Sequence, residues 1–567
     1  MSSKNIPLNY TENEKRSLFQ ALLYGYCRAG DDSIAVAYFD RHIHWKQFME
    51  EIDAAAAAFL KHGVKKGDCI TIYTPNIPQA TVALYAANRL GAVANMIHPL
   101  SPKQEIEHAV TLTSSKIVFT VEINEENVSG LDVEIIRCKT GTYFGGIKAP
   151  VLRAGYAFVM RKYGKAANVR GITEWGAFLK EGRDALAKGL VLPEENGHAK
   201  DTAVIMYTGG TTGVSKGVML SNYAVNSISM QMLIDVGLGK TDVEDGFLAI
   251  LPIFHAFGLA VTIHAPLISG MKVVLVPRFD PKGCFEQIKR EHVVFLPGVP
   301  ALFERMYPYF ENYYLGDLKL MVSGGDRVAF ELMDKYNKLL KRDGADIKFR
   351  AGYGLTEACG TCTLSPNDYI FLPSGCIGVP MTGSEVCIVE PDTTNVLPDG
   401  EEGELCYYGP AMMTGYYNNQ EATDAVMIKH PDGKVWLHTG DIVVREKDGN
   451  ICFRSRSKRM VKINGFNVYP FIIEEEIQHH PAVKQVCAVA MPYKQDKKIK
   501  LFVTLNEGYS AETIEEQLIA FSKDKLNHWS TPVKVEVISE MPMTKFNKID
   551  YRLLQDREME GATLVKE

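Results

Sequence analysis

Short β-branched runs alternate with stretches of helical periodicity over the first half of the chain, and this alternation limits the fold more than any other feature. KIVFTV (116–121) and KVVLVP (272–277) have the texture of buried parallel strands. CITIYTP (69–75) is a third strand with a breaker after it. Between such runs, residues 46–61 (KQFMEEIDAAAAAFLK) and 80–92 (ATVALYAANRLGA) carry helix formers with apolar residues at helical spacing. Strands separated by helices predict an α/β architecture. Length and composition agree with a large core: 567 residues correspond to three or four units at about 150 residues each, and 46% of them are hydrophobic. Sixty-two basic against 68 acidic residues give a net charge of −6, and nothing in that balance points to a nucleic-acid partner.

The texture changes twice. From about 376 to 455, short strands are separated by Pro, Gly and Asp turns, which predicts a β-rich subdomain. From about 458, FIIEEEIQHHP reads as a helix, QVCAVAMP and LFVTL as strands, and ETIEEQLIAFSKDKL as a helix. This predicts a separate α+β domain of about 110 residues. The expected division is thus 1–457 and 458–567. The eleven cysteines read as reduced thiols of a cytoplasmic protein. The first twenty residues lack an apolar secretory core, and no run approaches the ~20 apolar residues of a membrane span.

One segment stands apart. Between Glu134 and Glu174 there is no acidic residue, while Arg137, Lys139, Lys148, Arg153, Arg161, Lys162, Lys165 and Arg170 fall inside it. Tyr143, Phe144, Tyr156, Phe158 and Tyr163 are interleaved with them. A solvated cationic loop is one reading; peripheral contact with the anionic inner face of a membrane through 137–170 is the other.

The chemistry-bearing motifs begin with YTGGTTGVSKGVMLSN (207–222). AVIMYT before the loop reads as a strand. MLSNYAVNSISMQML after it reads as a helix that Ser221 or Asn222 can cap. Thr208, Gly209, Gly210, Thr211, Thr212, Gly213 and Lys216 put permissive backbone, hydroxyls and an ammonium in one loop, which suits phosphate oxygens. The GxxxxGK[ST] spacing is absent, and the decoy GKT (239–241) has Ile234 where the first glycine belongs. RAGYGLTEACG (350–360) resembles a dinucleotide fingerprint, but Glu357 occupies the third glycine position. Tyr353 between two glycines can lie beside a base, and Thr356 and Glu357 offer oxygen ligands suited to Mg²⁺. SGGDRV (323–328) is a further glycine turn. In WLHTGDI (436–442), Asp441 can accept both hydroxyls of a ribose, with Arg456 of FRSRSKRMVKINGFNVYP (453–470) opposite it. MPMTKFNKIDYRLL (541–554) places Lys545 and Lys548 in a short polar stretch that composition alone leaves as surface charge.

Taken in order along the chain, together with PIFHAFGL (252–259), these motifs resemble the adenylate-forming superfamily of acyl-CoA synthetases, luciferases and peptide-synthetase adenylation domains. YTGGTTG and GFNVYP make the chain most similar to the bacterial long-chain fatty-acid–CoA ligases. The resemblance spans roughly residues 20–560. It implies a large, multi-subdomain N-terminal adenylation domain followed by a small, mobile C-terminal domain. It also implies two half-reactions: carboxylate and Mg·ATP give acyl-AMP and pyrophosphate, then CoA gives acyl-CoA and AMP. ATP and CoA are co-substrates on this view, with a long- or medium-chain fatty acid as the acyl donor and a homodimer as a further expectation.

Carried onto this sequence, the resemblance assigns Thr208 to Lys216 to the β- and γ-phosphates. Gly325, Asp326, Gly352, Tyr353, Gly354 and Leu355 go to the nucleotide, Thr356 to the α-phosphate and Glu357 to Mg²⁺. Asp441 and Arg456 go to the ribose. Lys548 would bridge the attacking carboxylate and the α-phosphate. Lys458 matches the hinge. Lys462 and Gly465 would serve the thioester step after the small domain rotates. His255, Phe257, Val299 and Pro300 mark the expected acyl pocket, although His255 also fits a structural histidine at the end of an apolar strand. Ser455 replaces the usual Asp, and Asn547 the glycine that often precedes the lysine. An aryl or bile-type acid, or transfer of the acyl group to a carrier protein, are the alternatives for the reaction.

Overall fold

The structure, a computed structural model, describes residues 16–145, 150, 154, 171–193, 197–208, 215–235, 242–369, 372, 375–463, 466–493, 496–523, 525–544 and 549–564. The chain forms two compact units: Met1–Val386 with Tyr407–Leu437, and Cys387–Cys406 with His438–Glu567.

The first unit holds two mainly parallel sheets. One runs in the order Gly415–Tyr416, Gly217–Ser221, Thr202–Tyr207, Val93–Met96, Cys69–Tyr73, Ile117–Thr120, Glu134–Arg137, Ile172–Glu174. Its inner strands are buried along their whole length, which is why they read as unbroken apolar runs rather than alternating ones. The other begins Arg41–His44, Ile34–Tyr38, Lys272–Leu275, Gly246–Ala249, Val293–Gly298, Leu320–Ser323, Phe349–Tyr353. The antiparallel strands Thr363–Leu364 and Cys376–Pro380 continue it. The alanine-rich helix spans Trp45–Lys61, and its five consecutive alanines are fully buried. The α/β class expected from the alternation is the class observed.

Two local readings change. Met219, Leu220 and Ser221 belong to a strand, Gly217–Ser221, that pairs antiparallel with Thr202–Tyr207, and the helix starts only at Asn222. Apolar residues running straight into a helix hide the boundary in the sequence. The cap expected from Ser221 is present, its Oγ accepting from Ala224 N at 3.1 Å. Residues Phe257–His264 form a π-helix, and His255, which the sequence also fits to the end of an apolar strand, lies in the turn before it. Its last residue, His264, is fully buried. His264 Nε2 is 2.7 Å from Asn226 Oδ1, and its Nδ1 is 2.9 Å from the Tyr85 hydroxyl. Asn226 Nδ2 donates to the Arg16 carbonyl, so Asn226 Oδ1 accepts and the ring is the neutral Nε2–H tautomer.

In the second unit, the end of strand Val435–Arg445 forms a hairpin with Ile451–Arg456. Beyond it, Val483–Tyr493, Asp496–Leu505 and Lys534–Val537 make a three-stranded sheet. The helices Pro470–Gln478, Ile514–Lys523 and Tyr551–Leu564 accompany these strands, giving the α+β composition expected. Among the described residues, no helix is long and apolar enough to cross a membrane.

Candidate active site

The glycine–threonine loop joins the antiparallel strands Thr202–Tyr207 and Gly217–Ser221. Thr208 N donates to Lys216 O at 3.2 Å, closing its base. Gly209, Gly210, Thr211, Thr212 and Gly213 lie outside the described residues, as do Gly465 and Lys548. Lys216 immediately precedes the strand Gly217–Ser221, and its Nζ lies 4.7 Å from the centroid of the Tyr416 ring. The Tyr416 hydroxyl in turn donates to Glu357 Oε1 at 2.7 Å. Met413 N donates to Glu357 O at 2.7 Å, and Tyr417 N to Gly217 O at 2.7 Å. One short segment, 413–417, therefore ties the loop lysine to the carboxylate of the GYGLTE motif. Burial, followed by the Glu357 charge, raises the Tyr416 hydroxyl far above its ordinary range, so it stays a donor.

Tyr416 was missing from the sequence-level site. The run GYYN (415–418) carries tyrosines, but nothing in it says that a ring 59 residues beyond Glu357 stands between a cation and a carboxylate.

Thr356 and Glu357 share a 3₁₀ turn, Thr356–Ala358, directly after the strand that bears Gly352 and Tyr353. Gly352 through Glu357 are all half-buried, open enough to meet a ligand. The donors offered there are oxygens, a carboxylate and a hydroxyl, which fits a hard cation such as Mg²⁺. Bound there beside phosphate, the ion would neutralise phosphate charge.

Two predicted clusters converge. A β-carbon at Gly324 would lie 3.3 Å from both Gly352 O and Phe257 Cε1. One at Gly360, whose φ is +98°, would lie 2.5 Å from Phe257 N. Phe257 thus packs against bare backbone between the SGGDRV and GYGLTE turns. Val299 Cγ1 stands 3.6 Å from the corresponding point on Gly325. Val299 and Pro300 open the helix Pro300–Phe310 and are half-buried. Asp326 is exposed and accepts from Arg327 N at 2.8 Å. His255 is exposed in the turn before the π-helix, not a core histidine.

In the second unit, Asp441 and Arg456 face each other across the hairpin, with Nε 3.4 Å from Oδ1. Asp441 is buried and the Arg456 side chain is exposed. Glu404, which the sequence did not single out, holds the turn that presents Asp441. Its Oε1 accepts from Gly440 N at 2.8 Å, and its Oε2 lies 2.9 Å from His438 Nδ1. Ser455 donates to Arg456 O at 3.1 Å. Lys458 lies in the 3₁₀ turn Ser457–Arg459, and Lys462 is exposed on strand Val461–Ile463.

The basic segment looks different in three dimensions. Arg137 is paired with Glu125 and Glu174, and Lys139 with Glu174 at 3.2 Å. Tyr143 and Phe144 are buried in the core, so neither offers a ring to a lipid surface. Its remaining basic residues lie outside the described residues.

The chain belongs to the AMP-binding enzyme family: residues 26–417 match that family, and residues 472–548 match the AMP-binding enzyme C-terminal domain. It is 27% identical over 559 residues to a long-chain-fatty-acid–CoA ligase of Bacillus subtilis (strain 168), covering 96% of this chain and 95% of that one. A long-chain-fatty-acid–CoA ligase of Escherichia coli O6:H1 is 30% identical over 521 residues, covering 90% and 89%. An anthranilate CoA ligase in complex with anthranoyl-AMP shares the fold with a TM-score of 0.79 at 19% identity, covering 99% and 100%. O-succinylbenzoate coenzyme A synthetase from Bacillus subtilis, in complex with ATP and magnesium ion, shares it at 0.74 and 22% identity, covering 95% and 99%. The protein is an ATP-dependent acyl-CoA ligase.

Proposed function

We propose that the acid activated by this ligase is a long- or medium-chain fatty acid. The observation that carries the reading is the Phe257 wall. The Phe257 ring lies against Gly324, the Phe257 backbone packs on Gly360, and Val299 stands beside Gly325, so the side chains brought together here are apolar. The relatives named as long-chain ligases support the same choice. Along such a wall each buried methylene contributes ~0.8 kcal/mol, about a fourfold gain in affinity.

In the first half-reaction the acid carboxylate attacks the α-phosphorus of ATP and pyrophosphate leaves. The barrier is one of positioning and charge, because two anions must meet. Lys216 and the loop hydroxyls hold the β- and γ-phosphates, Thr356 the α-phosphate, and Asp441 with Arg456 the ribose. Lys548 supplies an ammonium between carboxylate and α-phosphate as charge develops. In the second half-reaction the CoA thiol attacks the acyl carbonyl, AMP leaves, and Lys462 and Gly465 replace Lys548 after a turn about Lys458.

The test is a panel of carboxylates of increasing length, with aryl and bile-type acids beside them, read by AMP release in the presence of CoA. Specificity should rise with chain length. A preference for an aryl or bile-type acid overturns the proposal, and turnover only with a carrier protein replaces CoA as the acceptor. Gly324→Val sharpens the assay. Its side chain would press on Phe257 and the Gly352 carbonyl, and should lower kcat/KM for hexadecanoate about tenfold while butanoate changes by less than about threefold.

A further inference from the structure

We infer that Arg459 is a positioning residue that couples the pivot at Lys458 to the segment bearing Lys548; the inference rests on the role proposed above for that lysine. Arg459 immediately follows Lys458 and closes the same 3₁₀ turn. Its guanidinium forms a fork on Glu474, with Nη1 3.0 Å from Oε2 and Nη2 bonded to Oε1. Nη2 also donates to the Ala488 carbonyl at 3.3 Å. Glu474 Oε1 accepts from Ala488 N at 2.8 Å, so helix Pro470–Gln478 and strand Val483–Tyr493 are fastened at one point. The other face of the guanidinium lies on the Tyr551 ring, with Cζ 4.5 Å from its centroid.

Tyr551 is the first residue of the helix Tyr551–Leu564 and stands three positions after Lys548. One turn on, Gln555 donates to Ala490 O at 2.7 Å and accepts from Ala490 N at 2.9 Å, seating the helix on the same strand. The residues on either side of Lys545–Lys548 are also fixed. Met543 bridges Ile549, and Asp550 N donates to Pro542 O at 2.8 Å.

One side chain thus touches two helices and a strand within the second unit. A change of φ and ψ at Lys458 reaches Lys548 faithfully only if the chain between them moves as one body. A guanidinium suits the task because its planar fork matches a carboxylate while its face stacks on an aromatic ring; an ammonium offers neither. With its side chain only 18% exposed and that of Glu474 16%, the charge needs its partner, which makes the pair a fixed joint rather than a loose surface contact.

The experiment uses the full-length enzyme and measures acyl-AMP formation by pyrophosphate release. Arg459→Met should lower kcat about tenfold or more while KM for ATP and for the acid stay within about twofold, since the substrates are still bound and only the lysine is misplaced. Tyr551→Leu should reproduce that loss with the Arg459–Glu474 pair intact, so it carries the test if Arg459→Met does not fold. Tyr551→Phe keeps the ring face and should restore kcat to within about threefold. Parental kcat in both Arg459→Met and Tyr551→Leu overturns the inference, as does a Tyr551→Phe variant no better than Tyr551→Leu. Lys548→Ala is measured alongside. If it is inactive while the two positioning variants are parental, the coupling alone has failed. If it keeps the parental rate, the role given to Lys548 has failed and the coupling falls with it.

Discussion

Lys548→Ala is expected to lower the rate of acyl-AMP formation by about a hundred- to a thousandfold while transfer of pre-formed acyl-AMP to CoA stays within about threefold of the parent. The asymmetry follows from where charge develops. In the first half-reaction a carboxylate approaches an already anionic phosphate, and an ammonium placed there helps the transition state more than either ground state. In the second, charge develops on the attacked carbonyl and the departing AMP, and the proposal gives that step to Lys462 after Lys548 has been withdrawn. Lys462→Ala should give the mirror image, with acyl-AMP accumulating and thioester formation lost. Pyrophosphate release and thioester formation from synthetic acyl-AMP, measured separately, decide the matter. Equal loss of both steps in Lys548→Ala would remove the argument for two alternating lysines.

The second large effect is expected at Glu357. Glu357→Ala should lower kcat for acyl-AMP formation about a hundredfold and raise the magnesium concentration needed for half-maximal rate, because it removes the carboxylate we propose would hold the ion. Tyr416 separates two explanations of that loss. Tyr416→Phe removes the hydroxyl that donates to Glu357 at 2.7 Å but keeps the ring under Lys216. A hydrogen bond to a charged group is worth about 1.5 kcal/mol, so the expected loss is about tenfold. Tyr416→Leu also removes the ring and should cost more, expressed in KM for ATP. A Tyr416→Phe enzyme with parental rate and magnesium dependence would mean that the hydroxyl does not set the carboxylate's position.

How much of this was legible in the sequence depended on range. The strands Cys69–Tyr73, Ile117–Thr120 and Lys272–Leu275 and the helix Trp45–Lys61 were visible because burial writes an apolar pattern into contiguous residues. The phosphate loop and GYGLTE turn were visible because backbone chemistry demands glycine in short order. The strand Gly217–Ser221 was not, since five residues flowing into a helix look helical until their partner strand is known. Nor was the π-helix at Phe257–His264, whose apolar run favours no single period. Tyr416 and Glu404 escaped for a different reason. Each acts on residues distant in sequence, Tyr416 on Glu357 and Glu404 on Gly440 and His438, and a single side chain leaves no periodicity to detect. The motif resemblance was needed for Lys548, whose surroundings are ordinary polar sequence.

The imidazole of His264, enclosed by Tyr85 and Asn226, links the stability of this fold to pH on the acid side. Burial pushes its pKa down to about 3, against 6.5 for a free side chain. Between those two values the unfolded chain takes up a proton that the native fold refuses. The contribution is therefore whole above pH 6.5 and shrinks as the solution is acidified, by up to ~1.4 kcal/mol for each pH unit until the folded value is reached. Replacing the ring by an uncharged side chain, His264→Gln, should lower the midpoint of thermal unfolding at neutral pH yet flatten its decline between pH 6 and pH 4. A parallel decline in both proteins would assign the acid limb to other groups.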